Sequence, residues 1–127
     1  MASQYAALAA TVILGCVIVF QLLLAAGLPL GRGAWGGQHR VLPARLRLGS
    51  LVAAAILGVA AWVVLTRAGL LGGDSRSTVI GVATWVFAGF FVLNTLGNLV
   101  SKSPIERKVM TPATLILAVC FALVALS

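Results

Sequence analysis

The stretch STVIGVATWVFAGFFVLNTLGNLVS, from Ser77 to Ser101, runs for 25 residues without a charged side chain. Its apolar residues follow one another without the alternation that a membrane β-barrel strand shows over about ten residues. A helix that crosses a bilayer needs about 20 mostly apolar residues. This stretch is therefore long enough for one crossing and too short for two. The same test applied outward finds three more uncharged stretches: Met1–Gly31 (31 residues), Leu48–Thr66 (19) and Val109–Ser127 (19). Continuous runs inside them, such as Val12–Ile13–Leu14 and Ile116–Leu117–Ala118–Val119, also read as spanning helices.

Composition agrees with that reading. Of 127 residues, 61% are hydrophobic and only 9% are charged, with nine Lys/Arg against two Asp/Glu and a net charge of +7. A soluble domain carries about 25% charged residues, and a disordered basic tail is poor in apolar ones. The expected fold is an all-α integral membrane protein: a single domain, 1–127, forming a bundle of four transmembrane helices. The spans are placed at 6–28, 50–65, 79–100 and 112–126. The first is longer than a signal-peptide core and lacks its positive n-region.

Charge placement sets an orientation. Loop 1 (29–49) holds Arg32, Arg40, Arg45 and Arg47; loop 3 (101–111) holds Lys102, Arg107 and Lys108; loop 2 holds only Arg67 and Arg76. Cytoplasmic loops are enriched in Lys and Arg. Loops 1 and 3 are accordingly expected in the cytoplasm, both termini outside, and the protein in the plasma (inner) membrane. The basic residues lie beside spans with few aromatics, which argues against nucleic acid as a partner. The bilayer itself is the expected partner. Arg40, Arg45, Arg47, Arg107 and Lys108 form a juxtamembrane cluster able to attract anionic lipid, at about 1 kcal/mol per residue.

The connections carry their own signals. Loop 2, with Gly69 and Gly72-Gly73-Asp74-Ser75, reads as a tight reversal that makes spans two and three antiparallel neighbours. Small residues at Ala54 and Gly58, and at Gly81, Gly89 and Gly97, would let those spans pack closely or form a homodimer face. In loop 3, Ser103-Pro104-Ile105-Glu106 has the pattern of a capping box. Thr111-Pro112 is a second helix start, so a short interfacial helix before span four is preferred over one helix bent at Pro112. In loop 1, Trp35 is a candidate headgroup-level anchor.

Candidate functional residues are few. The spans hold no ionisable Asp, Glu, Lys, Arg or His, which lowers the case for a proton-relay carrier. Gln21, Asn94 and Asn98 are the notable amides, with Gln21 and Asn94 at similar depth. They either bond between helices to fix packing or line a cavity open to the cytoplasm, roofed by His39, Arg40, Glu106 and Arg107. Trp35, His39 and Glu106 make a candidate loop site. Cys16 and Cys120, near mid-membrane, read as small buried hydrophobes. No metal site or cofactor is expected: zinc needs three or four suitably spaced ligands and bis-histidine haem two histidines. An enzyme is the least favoured class, because Asp74 and Glu106 are the only carboxylates and fall on opposite sides.

Two stretches carry a resemblance: Ala34-Trp35-Gly36-Gly37 with Val41-Leu42-Pro43 and Leu46-Arg47, and Asn94-Thr95-Leu96-Gly97-Asn98 with Ser101-Lys102-Ser103 and Glu106-Arg107. Together, over Gly31 to Pro112, they resemble a group of small four-span membrane proteins of high-GC Gram-positive bacteria whose function is unassigned. The resemblance implies fold and topology and transfers no activity. On function, the leading expectation is a structural or accessory membrane protein. Its basic cytoplasmic face would touch anionic lipid or a partner, as a homo-oligomer or within a larger membrane complex. The alternative is a small oligomeric carrier or channel built around the polar cavity.

Overall fold

A computed structural model describes residues 2–127. Four long helices make up the chain: α1 (Ala2–Ala25), α2 (Ala44–Arg67), α3 (Thr78–Leu99) and α4 (Thr111–Leu126). Single 3-10 turns occupy Gly31–Gly33 and Trp35–Gly37, and a π-turn at Glu106–Met110 leads into α4. No strand occurs among the described residues. With the π-turn included, all four helices are long and apolar enough to cross a membrane. Their outer surfaces are lined with exposed Val, Leu, Ile and Trp, including Val79, Val86, Leu93 and Trp62. Contiguous apolar surface on this scale marks a membrane or protein contact.

Two helix ends are set by glycines. After α1, Gly27 has φ 91°, the Leu28 N–H donates to the Leu23 carbonyl and the Gly27 N–H to the Leu24 carbonyl. After α2, Gly69 has φ 79°, with Leu70 donating to Leu65 and Gly69 to Thr66. Both are Schellman caps, which need a residue with positive φ just past the helix. Span one, expected to reach residue 28, therefore stops at Ala25. Pro43 opens α2, accepting from the Leu46 and Arg47 N–H groups through its carbonyl.

Helix pairing departs from the sequence reading. The tightest pairs are α1 with α2 and α3 with α4, then α1 with α4; α2 and α3 touch much less despite their short connection. Close approach rests on alanines: Ala7, Ala10, Ala60 and Ala118 are buried in the main core with Leu14, Val64, Phe91 and Phe121. The glycines expected at an α2–α3 contact do not make one, since a Cβ on Gly58, Gly81, Gly89 or Gly97 would meet nothing within 4 Å. Cys16 likewise departs from expectation. It is exposed while Cys120 is buried, and both are free. The buried face of α1 runs through Ala7, Ala10 and Leu14. Cys16 lies two residues past Leu14, about 200° around a helix of 3.6 residues per turn.

Span four also differs. The chain is helical from Pro104 onward and continues through the π-turn into α4 without a separate interfacial helix. Pro112 explains the turn. It offers no N–H to the Lys108 carbonyl, and its ring crowds that oxygen. Widening by one residue relieves the clash: the Thr111 N–H reaches back to the Glu106 carbonyl, and Thr111 Oγ1 donates to the same oxygen at 3.2 Å.

Candidate functional site

A second, smaller apolar cluster sits under loop 1, where Leu24, Ala34 and Leu42 are buried against Phe20 and Leu46. Between it and the main core lies a cavity of ≈ 260 Å³. Its walls come from all four helical segments and loop 1: Phe20 and Gln21 of α1, Ala53, Ile56 and Leu57 of α2, Phe90, Phe91, Asn94 and Asn98 of α3, and Glu106 with Met110 before α4. Gly33, Ala34 and Trp35 cover its loop 1 end. The weak α2–α3 contact leaves the side open there, and the rim residues Ile56 and Phe90 are 40% and 37% exposed.

Structure thus brings Gln21, Asn94, Asn98, Trp35 and Glu106 around one space. Gln21 lies four residues before the end of α1 and Asn94 five before the end of α3, roughly 6 and 7.5 Å deep at 1.5 Å per residue. The two amides do not hydrogen-bond to each other. Gln21 Oε1 is buried and has no partner. Asn94 Nδ2 donates to the Phe90 carbonyl at 2.8 Å, and Asn98 Nδ2 to Thr114 Oγ1 at 3.5 Å. Thr114 in turn meets Thr95 Oγ1 at 3.0 Å. This α3–α4 polar contact had no distinctive sequence signal, because Thr is common in apolar helices and usually bonds within its own turn, as Thr84 does to Ile80.

Glu106 is the charged wall of the cavity and is 7% exposed. The capping box is half formed: Ser103 Oγ accepts from the Glu106 N–H at 3.4 Å. The reciprocal half is absent, because Glu106 Oε1 accepts from the Gly36 N–H at 3.1 Å instead. The Ser103 N–H turns to Ser101 Oγ at 3.1 Å. Ser103 Oγ also donates to the Arg32 carbonyl. Loops 1 and 3 are thereby tied together across 70 residues of sequence.

Trp35 has a positive φ of 53°, a conformation that costs a bulky residue on the order of 1–3 kcal/mol. Its indole Nε1 donates to Ser50 Oγ at 3.1 Å, and its ring lies against Gly49, where a Cβ would come within 2.9 Å. The seat for Trp35 is thus a Gly-Ser pair in α2, which the sequence reading missed. A glycine inside a helix, costing about 1 kcal/mol against alanine, was the available hint.

The remaining candidates fall elsewhere. His39, Arg40 and Arg107 do not border the cavity. Arg40, Arg45, Arg107 and Lys108 are exposed. Arg47 is half-buried, and its Nε donates to the Ala25 carbonyl at 2.9 Å, which places a cation at the C-terminus of α1. At the other end of the molecule, Arg67 Nη1 donates to the Ser75 carbonyl at 2.9 Å. Arg67 Nη2 and Arg76 Nη1 both reach the Ser127 carbonyl, at 2.7 and 3.3 Å. Among the described residues, no group of three or more His, Cys, Asp or Glu is placed to hold a metal. No protein-family model, no curated protein and no solved structure matches this chain.

Proposed function

We propose that this chain is a small multi-pass protein of the plasma membrane, of structural or accessory type, whose basic cytoplasmic end gathers anionic lipid. The resemblance to small four-span bacterial proteins belongs to the same reading. One observation carries it: apart from Arg47, which donates to the Ala25 carbonyl, the two ends use their arginines differently. Arg67 and Arg76 spend their guanidinium groups on backbone carbonyls. Arg40, Arg45, Arg107 and Lys108 are exposed, and among the described residues their side chains donate to no protein group. Arg45 lies in the first turn of α2, and Arg107 and Lys108 lie in the π-turn that begins the fourth span. Cations at a helix start oppose the macrodipole by about 0.3–1 kcal/mol each. Anionic headgroups at that level offset the cost.

The experiment is lipid counting by native mass spectrometry after purification from mixed phosphatidylglycerol and phosphatidylcholine. Arg45→Gln with Arg107→Gln is expected to weaken phosphatidylglycerol retention by about 2 kcal/mol, on the order of 30-fold. Retention equal to that of the unaltered protein would leave the cluster with orientation as its sole role. The cavity favours a second reading, a small oligomeric carrier, because Gln21 and Asn94 line open space instead of bonding to each other. Solute flux in proteoliposomes separates the two.

A further inference from the structure

We propose that the cavity between α2 and α3 binds the ammonium group of an amphipathic primary amine, with the amine's apolar body leaving between Ile56 and Phe90 toward the bilayer. The inference is independent of the anionic-lipid reading, since none of the basic cluster borders this space.

The lining decides the chemistry. No Lys, Arg or His borders the cavity, so a phosphate or carboxylate would find no cation. Three of the side-chain donors are committed: Asn94 Nδ2 to Phe90, Asn98 Nδ2 to Thr114 and Trp35 Nε1 to Ser50. The acceptors remain. Gln21 Oε1 is buried without a partner, and the Glu106 carboxylate has a single hydrogen bond, from the Gly36 N–H. No cation pairs with Glu106 among the described residues. A carboxylate buried to this degree is normally paired or multiply hydrogen-bonded. The site therefore calls for a positively charged group with several N–H donors, which a primary ammonium is. Phe20, Phe90, Phe91 and Trp35 around it supply ring faces that favour a cation.

Size and position agree. A space of ≈ 260 Å³ lies just under the roughly 300–1,000 Å³ of small-molecule sites. It would hold an arylalkylamine or the end of a lipid headgroup. Its polar wall sits about one helical turn inside the ends of α1 and α3, the depth at which an amphiphile keeps its charged end. Water alone is the competing occupant; at about 30 Å³ each, about nine molecules would fill the space.

The test uses the full chain in phosphatidylcholine nanodiscs. Trp62→Phe and Trp85→Phe leave Trp35, on the cavity wall, as the fluorescent reporter; both replaced side chains are exposed on the outer surface. Phenethylammonium should change Trp35 emission saturably, and 2-phenylethanol, of equal shape without the charge, should bind more weakly. Glu106→Gln keeps an acceptor for the Gly36 N–H and removes the charge. It is expected to weaken phenethylammonium binding roughly 10- to 100-fold, as loss of a charge-assisted hydrogen bond does. Gln21→Leu should weaken it as well. No saturable change, equal affinity for the alcohol, or equal affinity in Glu106→Gln would each overturn the proposal and leave a hydrated or purely apolar cavity. Adding phosphatidylethanolamine to the discs identifies the source. Competition that disappears in Glu106→Gln assigns the site to an aminophospholipid headgroup, and absence of competition assigns it to a free amine.

Discussion

Glycine does opposite jobs at different positions of this chain, and the difference is measurable. At Gly31, an added Cβ would collide with the His39 carbonyl oxygen and lie 2.9 Å from that of Arg40. Backbone atoms cannot rotate away as a side chain can. The Gly31 N–H also donates to the Arg40 carbonyl at 2.8 Å, so the loop is closed across this point. Gly31→Ala is expected to cost about 1–3 kcal/mol or more, in the manner of an overpacked core. At Gly58 an added Cβ meets nothing, and Gly58→Ala should be neutral or stabilise the helix by up to about 1 kcal/mol. Thermal unfolding in detergent should order the variants Gly31→Ala, wild type, Gly58→Ala from least to most stable. A reversed order would mean that α2 needs Gly58 against another surface. Sequence alone could not sort these two positions. Spacing marks a small residue, but only the neighbouring chain shows whether space is missing.

At the scale of the element, α4 shows how one proline reaches the cavity. Pro112 forces the π-turn, and the π-turn sets the direction in which Glu106 leaves the helix. An extra residue per turn rotates everything before it by about 100° relative to a regular α-helix. That rotation carries Ser103 and Glu106 together relative to α4, and in the resulting position the Glu106 carboxylate accepts from the Gly36 N–H. Pro112→Ala restores an N–H to pair with the Lys108 carbonyl, so the segment should relax to α-helix. Glu106 should then leave Gly36 for the Ser103 N–H and complete the capping box. The observable is the Gly36 amide resonance, expected to lose its hydrogen-bonded shift in the Pro112→Ala protein. An unchanged resonance would mean that loop 1 contacts, not the proline, hold the turn. Both ingredients, the Ser103–Glu106 spacing and Pro112, were visible in the sequence. Their coupling was not, because it runs through Gly36 across 70 residues. The end of α2 was legible, because Gly69 reads as part of a reversal; the end of α1 at Gly27 was not, and span one was placed through to residue 28. The pairing of α1 with α2 was hidden behind the long loop 1, and the short loop 2 shows that α2 and α3 are joined, not that their faces fit.

For the whole molecule, the decisive asymmetry is between its two ends. The Glu106–Gly36 and Ser103–Arg32 bonds put loops 1 and 3 together, and with them seven of the nine basic residues. Arg67 and Arg76 hold loop 2 to Ser127 at the opposite end. Positions of charge alone made the four spans and this two-ended pattern readable, because a charge is too costly to leave in hydrocarbon. The gap between α2 and α3 left no such mark. Ile56 and Phe90 look like any other apolar residues until α2 and α3 prove to pack only loosely against each other. Seven basic residues against two should orient the chain with loops 1 and 3 in the cytoplasm. The structure also selects the reporters. Ser103 is buried and bonded and cannot serve, whereas Lys102 and Gly72 are exposed, and a Cβ at Gly72 meets nothing. With Cys16 and Cys120 replaced by Ser, a membrane-impermeant maleimide applied to intact cells should label Gly72→Cys. Lys102→Cys should react only after the membrane is opened. Labelling of Lys102→Cys from outside would invert the orientation. The exposed Arg40, Arg45, Arg107 and Lys108 would then face the leaflet with less anionic lipid to hold.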